Sequence, residues 1–216
     1  MTDCTLRGVL ALCSIAVAHL AFCVFRHFSC RGSSPSSVPR PASAMVVFGS
    51  GGHTSEMLHL IRDVSLTQLS PLCFVTAHSD ETSLQKIRAF QLKYIDSVQW
   101  STIYRSREVK QSWLSTVVTT SYALLQSFHL VLVLRPQVIL CNGPGTCVPI
   151  CLAAALFRFF SAQFYSPRIV FTESYCRVES LSLTGKILYN IADKFIVQWP
   201  QLLQRYPKAR YIGKVC

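Results

Sequence analysis

The chain contains 216 residues, of which 50% are hydrophobic and 14% are charged, and its formal net charge is +11 at pH 7. This apolar fraction is enough for the core of one domain of ordinary size, and it excludes a chain that is disordered throughout. The positive charge favours anionic partners such as phosphates or lipid headgroups. We expect no nucleic acid partner, because the sequence lacks the basic runs, RNP-like aromatic pattern and zinc-finger spacing of such proteins.

Residues 6–25 form an apolar segment whose run from position 9 onward is broken only by Ser14 and His19. Its length is close to the roughly 20 residues that span a bilayer. We therefore predict a transmembrane anchor at residues 6–25, preceded by a short N-terminal segment at residues 1–5. A buried helix of a folded domain and a cleaved signal peptide are the alternatives.

The signal-peptide alternative has one feature in its favour, since Ala42-Ser43-Ala44 matches a small-residue cleavage pattern. That site lies about 17 residues beyond the apolar run, which is farther than the usual geometry. Arginines are more frequent after the apolar segment than before it, so the positive-inside rule places the C-terminal part in the cytosol and residues 1–5 in a lumen. Residues 26–43 are rich in Ser and Pro and are predicted to be a linker.

The ten cysteines lie in apolar contexts, where they behave as small hydrophobic residues of a reducing compartment. Cys147 and Cys151 are separated by three residues, but no second pair and no nearby histidine completes a zinc site. We expect neither a metal ion nor another cofactor.

Short apolar runs alternate with longer helical patterns from residue 44 to residue 216. Strands are predicted at residues 45–48, 72–76, 98–104, 138–141, 169–172 and 195–197. Helices are predicted at residues 55–64, 82–90, 113–134, 147–160 and 183–192. This alternation indicates an α/β domain with a Rossmann-like, doubly wound and mostly parallel sheet.

Two of these stretches, residues 117–134 and 138–160, are apolar enough to suggest further membrane spans. The first contains several Ser, Thr and Gln residues, and the second is interrupted by Asn142-Gly143-Pro144-Gly145. We therefore interpret them as a helix and a strand-loop-helix unit of the folded domain, with contact to a membrane surface as the alternative.

Polar clusters follow the predicted strands at their C-terminal ends, where ligands bind in open α/β sheets. The candidate ligand-binding residues in these loops are Gly49, Ser50, Gly51, Gly52, His53, Arg105, Arg107, Asn142, Gly143, Gly145, Thr146 and Glu173. Glycines bring backbone N–H groups close to an anion, and the helix that follows adds unpaired N–H donors. The loop that begins at Gly49 is thus predicted to hold an anionic group.

Each cluster also has a structural interpretation. The glycines are compatible with a tight turn alone, and Asn142 to Thr146 with a second simple turn. Arg105 and Arg107 are compatible with solvated surface charges, although guanidinium groups suit phosphate oxygens. His53 either caps a helix or acts on a phosphate or as a base, and Glu173 either caps the next segment or contacts substrate hydroxyls.

Several site classes are excluded by spacing. The first loop lacks the third glycine of the dinucleotide-binding fingerprint, and the second strand ends in Thr76 where that fold needs an acidic residue. No Gly-Lys-Ser/Thr sequence follows at the spacing of a phosphate-binding P-loop. A self-sufficient hydrolase is disfavoured because Gly49-Ser50-Gly51 is too short for a nucleophile elbow.

Five motifs in order resemble one known family, the membrane-anchoring subunit of the UDP-N-acetylglucosamine transferase of dolichol-linked oligosaccharide synthesis. The motifs are residues 49–54 (GSGGHT), 105–109 (RSREV), 141–149 (CNGPGTCVP), 173–179 (ES with CRVE) and 195–200 (FIVQWP). The resemblance runs from the anchor to the last residues, although the anchor and linker match only in character.

The resemblance implies the N-terminal, acceptor-binding half of a GT-B glycosyltransferase similar to the bacterial enzyme that makes lipid II. A separate soluble subunit would supply the donor-binding, catalytic half. Together they would add the second N-acetylglucosamine to N-acetylglucosaminyl-diphosphodolichol at the cytosolic face of the endoplasmic reticulum, whose membrane is continuous with the nuclear envelope. This chain would then be a membrane subunit that is not catalytic alone.

Carried over to this sequence, the resemblance places the glycine loop and His53 near the acceptor diphosphate, and Glu173 near the acceptor sugar. His53 and Glu173 are the candidate catalytic bases. The C-terminal residues would dock the catalytic partner: Tyr211, Ile212, Gly213, Lys214, Val215 and Cys216. The alternative is a pure membrane scaffold for the partner, with no role in the active site.

Overall fold

The computed structural model describes residues 41–64, 68–90, 95–106, 113–143, 145–161 and 165–214. The predicted N-terminal segment, the anchor and most of the linker lie outside the described residues. Among the predicted site and docking residues, Arg107, Val215 and Cys216 also lie outside them.

Seven strands form one sheet in which all neighbouring strands pair in parallel. They are β1 (Ala42–Phe48), β2 (Leu69–Ala77), β3 (Gln99–Ile103), β4 (Val138–Asn142), β5 (Arg168–Thr172), β6 (Lys194–Val197) and β7 (Arg210–Tyr211). Their order across the sheet is β3-β2-β1-β4-β5-β6-β7. The six predicted strands and the doubly wound parallel fold are confirmed. No strand is predicted at β7 from the sequence, because its two residues, Arg210 and Tyr211, form no apolar run.

Within the described residues, six helices and one 3₁₀ turn at Ile95–Ser97 accompany the sheet. The helices are α1 (Gly52–Ile61), α2 (Glu81–Ala89), α3 (Trp113–Leu134), α4 (Cys147–Ser161), α5 (Leu183–Leu188) and α6 (Leu202–Arg205). α1 begins three residues before its predicted start, since the turn is already completed at Gly51, whose φ is 68°. α5 ends four residues before its predicted end, because the chain turns there and the N–H groups of Ile191 and Ala192 both donate to Leu188 O.

Hydrophobic clusters cover both faces of the sheet, because successive residues of a strand point to opposite faces. On one face, Val46 and Phe48 of β1 pack with Met57 and Ile61 of α1. On the other face, Met45 and other strand residues pack with α4 and with parts of α3 and α5. Burying one such large side chain stabilises the fold by about 1.5–3 kcal/mol.

α3 is a surface helix with an apolar outer side. Ala123, Ser127 and Val131 are fully buried at four-residue spacing and form its inner row. On the outer side, the residues Val118 and Leu125 are 69% and 70% exposed to solvent. By length and composition alone, residues 115–134 are long and apolar enough to cross a membrane, although only 17% of that window is buried. Its inner row nevertheless packs α3 onto the domain as predicted.

Candidate functional site

The strand order reverses between β1 and β4, and this is where ligands bind in open α/β sheets. Phe48 at the end of β1 pairs with Asn142 at the end of β4. The loops that follow these two strands therefore lie side by side. Gly49 begins the first loop and Gly143 begins the second, so the two glycine loops predicted from the sequence form one site.

Gly49 and Gly143 enclose the side chain of His53. A Cβ atom on Gly49 would lie 2.8 Å from Asn142 O and 2.9 Å from His53 Cβ. A Cβ atom on Gly143 would lie 2.8 Å from His53 Cγ, and the φ of Gly143 is 103°, which disfavours any residue with a side chain. Gly49 is needed because a side chain there would meet Asn142 O and His53 Cβ, and Gly143 is needed because the imidazole ring occupies the space that a side chain would fill.

Three hydroxyl groups fix the loops around this histidine. Thr54 Oγ1 donates to Gly49 O at 2.6 Å, and Thr146 Oγ1 donates to Phe48 O at 3.0 Å. Ser106 Oγ donates to Gly145 O at 2.7 Å, which ties the loop after β3 to the loop after β4. Thr146, a predicted ligand-binding residue, is buried and in this structure holds the two central loops together.

His53 is held on one side by Asn142 and Glu56. Its Nδ1 lies 3.0 Å from Asn142 Oδ1 and 3.8 Å from Glu56 Oε2. Asn142 Nδ2 donates to Glu56 Oε2 at 2.9 Å. Asn142 is fully buried, so this predicted binding residue acts on the ring of His53 within the structure. Within the described residues, Nδ1 is the ring nitrogen with protein partners, and Nε2 is left for a ligand.

The surroundings of His53 and Glu56 favour their charged forms. Burial lowers the pKa of His53, but the carboxylate of Glu56, the amide of Asn142 and the charge of Glu173 together raise it above its usual value. Burial raises the pKa of Glu56, but the nearby imidazole of His53 and the hydrogen bonds from Asn142 and Ser174 bring it below its usual value. The pKa of His53 therefore lies above its ordinary value, while Glu56 stays ionised at neutral pH.

The N-terminus of α1 is the open part of the first loop. Gly51 and Gly52 are exposed, and among the described residues no atom lies within 4 Å of a Cβ built on either of them and no side chain caps the helix. The first N–H groups of a helix lack partners within it, and the dipole there attracts negative charge. Ser50 lies beside them, half-buried. These features suit an anion such as a phosphate.

One cationic side chain lies beside each of the two glycine loops. Lys86 Nζ donates to Gly51 O at 3.1 Å. Arg105 Nη2 lies 3.6 Å from Asp80 Oδ2, and the same side chain approaches Gly145, since a Cβ there would lie 3.7 Å from Arg105 Cγ. Arg105 thus stands at the rim of the site next to the second glycine loop, as the sequence predicts.

Glu173 is buried and holds its own loop. Its carboxylate accepts hydrogen bonds from Ser174 N at 3.1 Å, from Ser182 N at 3.0 Å and from Ser182 Oγ at 3.1 Å. Gly185 is required beside it, because a Cβ there would overlap the carboxylate. Of the two interpretations open at the sequence level, this geometry corresponds to capping of the following segment.

The described part of the C-terminal end lies at the edge of the sheet. Tyr211 pairs with Val197 as part of β7, and the side chains of Tyr211 and Ile212 are exposed. Gly213 has a φ of 102°, and Lys214 Nζ lies 4.4 Å from the ring centroid of Trp199. These contacts fasten the segment to the sheet while leaving apolar side chains exposed.

Sequence reasoning missed Glu56, which joins α1, β4 and the loop after β5. Its Oε1 accepts from Ser174 Oγ at 2.8 Å and from Tyr175 N at 3.3 Å. The available signal was the three-residue spacing from His53, which puts both side chains on one face of a helix. Within the described residues, no group of three or more His, Cys, Asp or Glu side chains is arranged to hold a metal ion.

Comparisons with known proteins identify the family of the chain. A family model described as "Oligosaccharide biosynthesis protein Alg14 like" matches residues 44–215. "UDP-N-acetylglucosamine transferase subunit ALG14" of Rattus norvegicus is 44% identical over 215 residues, which cover 96% of this chain and 98% of the relative. The human protein of the same name is 43% identical with the same coverage. The protein of that name from Yarrowia lipolytica is 41% identical over 172 residues, covering 78% of this chain and 79% of the relative.

Two solved structures share the fold. MurG of Acinetobacter baumannii superposes with a TM-score of 0.54 and 13% identity, covering 73% of this chain and 41% of that chain. A putative UDP-N-acetylglucosamine 2-epimerase of Listeria monocytogenes gives 0.54 and 15%, covering 77% of this chain and 42% of that chain. At these identities the likeness shows the fold alone, which is that of one part of a GT-B protein.

Proposed function

The chain belongs to the Alg14 family, whose curated relatives are named as UDP-N-acetylglucosamine transferase subunits, and we propose that it is the acceptor-binding and membrane-anchoring subunit of such a transferase. The complete enzyme would add the second N-acetylglucosamine to N-acetylglucosaminyl-diphosphodolichol on the cytosolic face of the endoplasmic reticulum. The observation that carries this proposal is the single histidine enclosed by two glycine loops beside an open helix N-terminus.

The acceptor diphosphate would lie against the loop at the start of α1. Gly51 and Gly52 are exposed there, and the helix dipole favours a negative charge. Arg105 at the rim would add a guanidinium group, which pairs well with phosphate oxygens. A lipid diphosphate fits this position because the predicted anchor would keep the domain close to a membrane.

His53 would accept the proton of the acceptor hydroxyl. In the transfer step, that hydroxyl oxygen forms a bond to the anomeric carbon of N-acetylglucosamine while the bond to UDP breaks, and the proton moves to His53 Nε2. A positioned base of this kind contributes about 10²–10⁴-fold to the rate. Glu173 is the less suitable base, since its carboxylate already accepts three hydrogen bonds from Ser174 and Ser182.

The donor would come from a second chain. The curated relatives, of which this chain covers up to 98%, are named as subunits of a transferase, which supports an enzyme made of more than one chain. We propose that residues 211–216 dock this soluble, catalytic partner, because Tyr211 and Ile212 expose apolar side chains at the edge of the sheet. Deletion of residues 211–216 should release the partner while leaving the domain folded.

The membrane contact would come from residues 6–25. A variant that lacks residues 1–40 should move from the membrane to the soluble fraction, with folding checked by its thermal unfolding transition. The apolar outer side of α3 offers the competing route to a membrane. Retention of the truncated variant on membranes, and its release by Val118→Ser and Leu125→Ser, would favour α3 over the anchor.

The test of the active-site role is co-expression with the donor-binding partner, followed by assay of transfer from UDP-N-acetylglucosamine to a lipid-diphosphate acceptor. His53→Ala should lower kcat by roughly 10²-fold or more while the partner still co-purifies. The alternative function, a pure scaffold, predicts full activity for His53→Ala. Activity of the wild-type chain without any partner would contradict the division of the enzyme between two chains.

A further inference from the structure

We propose that Glu56 is a positioning residue for the transfer reaction: acting through Asn142, it keeps the proton of neutral His53 on Nδ1 and so leaves the Nε2 lone pair for the acceptor hydroxyl. This inference rests on the proposed function, in which His53 is the proton acceptor. It assigns a task to a buried carboxylate that is neither a base nor a ligand of the anion.

The hydrogen-bond partners of Asn142 determine the orientation of its side chain. An ionised carboxylate only accepts hydrogen bonds, so the group that lies 2.9 Å from Glu56 Oε2 must be the NH₂ of Asn142. The amide oxygen Oδ1 then lies 3.0 Å from His53 Nδ1. An amide oxygen also only accepts, so Nδ1 must carry the proton. The tautomer of His53 is therefore determined by a carboxylate two hydrogen bonds away.

The position of Glu56 is itself fixed by its second oxygen. Oε1 accepts from Ser174 Oγ at 2.8 Å and from Tyr175 N at 3.3 Å. The backbone N–H of Tyr175 cannot reverse its polarity, in contrast to a hydroxyl or an amide side chain. The atom at the Oε1 position must therefore remain a hydrogen-bond acceptor. If a substitution turns one of the two oxygens into a donor, the donor must take the Oε2 position, which faces Asn142.

This polarity makes Glu56→Gln an informative substitution. The carbonyl of the new amide must occupy the Oε1 position, where two donors meet, and its NH₂ group then faces Asn142. Asn142 has to turn over to accept that hydrogen bond, which brings its own NH₂ group to His53 Nδ1. The proton of neutral His53 moves to Nε2, and the lone pair needed for the reaction is lost.

Glu56→Gln also removes a negative charge close to His53. The charged groups that act on His53 are Glu56 on α1 and Glu173 after β5, and both raise its pKa. The cations of the same rim have other contacts, with Lys86 on Gly51 O and Arg105 beside Asp80. Loss of the Glu56 charge should therefore lower the pKa of His53, and the acid limb of the pH profile should move to lower pH.

The competing explanation is that Glu56 only clamps the loop after β5. Ser174→Ala is the matched control, because it removes the hydrogen bond to Oε1 and leaves the path from Oε2 through Asn142 to His53 intact. Both variants are made in the full-length chain and assayed in the complex with the donor-binding partner. Co-purification of the partner and the thermal unfolding midpoint verify that each complex is assembled.

The measurement is kcat and KM for the lipid acceptor as a function of pH. We expect Glu56→Gln to lower kcat by roughly 10²-fold, to change KM little and to move the acid limb to lower pH. Ser174→Ala should keep the wild-type acid limb and most of the activity. If Glu56→Gln leaves the acid limb in place and loses no more activity than Ser174→Ala, Glu56 is only a loop clamp and the proposal is wrong.

A double-mutant cycle tests whether Glu56 acts on His53 through Asn142. If it does, Glu56→Gln should lower kcat by no more than about twofold when it is added to Asn142→Ala. If Glu56→Gln lowers kcat in this background as much as it does in the wild-type chain, Glu56 does not act through Asn142 and the proposal is wrong. Failure of the proposed function gives a different pattern, because His53→Ala would then retain activity; failure of the positioning role alone leaves His53→Ala inactive and Glu56→Gln active with an unchanged profile.

Discussion

Replacing Gly143 with alanine adds only a methyl group but should disturb the site strongly. A second glycine of the chain, Gly213, is a control for the part of this effect that comes from the backbone conformation. Gly143 and Gly213 have nearly the same backbone φ, 103° and 102°. They differ in their surroundings, because a Cβ on Gly143 would lie 2.8 Å from His53 Cγ, whereas no atom of the part of the chain that the structure describes lies within 4 Å of a Cβ on Gly213.

The expected magnitudes follow from this difference. Forcing an alanine into the left-handed region costs about 1–2 kcal/mol at either position. Gly143→Ala adds an overlap with the imidazole ring, and overpacking of this kind costs about 1–3 kcal/mol. For a domain of this size, each kcal/mol lowers Tm by about 2–4 °C. Gly143→Ala should therefore lower Tm by several degrees more than Gly213→Ala.

The two effects are measured separately. Thermal unfolding of both variants gives the difference in stability, and the transferase assay with the partner gives the effect on the site. Gly143→Ala should also lower kcat, since the ring of His53 must move away from Asn142 to make room. Equal Tm shifts for the two variants, or wild-type activity for Gly143→Ala, would refute the close packing of the ring against this loop.

Two further predictions concern buried groups away from His53. Gly185→Ala should destabilise the domain by about 1–3 kcal/mol in chemical denaturation, because its Cβ would overlap the Glu173 carboxylate and lie 3.2 Å from Ser182 Oγ; a cost below that of an ordinary surface substitution would contradict this packing. Burial raises the pKa of the Cys141 thiol well above its usual value, so at pH 8 iodoacetamide should modify exposed Cys176 and spare Cys141 until the protein is unfolded, as peptide mapping would show.

The fold was predictable from the sequence because its strands are short apolar runs followed by glycine or polar loops. α3 has the predicted bounds, Trp113–Leu134, since the apolar helical pattern stops at Arg135-Pro136. β7 was not predictable, because its two exposed residues carry no apolar pattern and the strand exists only through pairing with β6.

The candidate site was predictable in position and only in part in its internal contacts. Every strand of a parallel sheet ends at the same edge, so Gly49 and Gly143 were expected near one another. Glu56 was not among the predicted site residues, and its role depends on contacts with Asn142 and Ser174, which lie far from it in the sequence. Such long-range contacts leave no local pattern. Glu173 caps the loop that follows it in the structure. From the sequence alone, such a carboxylate cannot be distinguished from one that contacts a ligand.

The network around His53 also bears on the proposed division of the enzyme between two chains. The groups that hold the ring, namely Gly49, Gly143, Asn142 and Glu56, all belong to this chain. In the proposed reaction, the partner would therefore bring the donor to a base that this chain orients. We expect the pKa of His53 to change little on partner binding, which an NMR titration of the ring in the free chain and in the complex would measure. A large change would instead mean that the partner contributes a charged group to the same site.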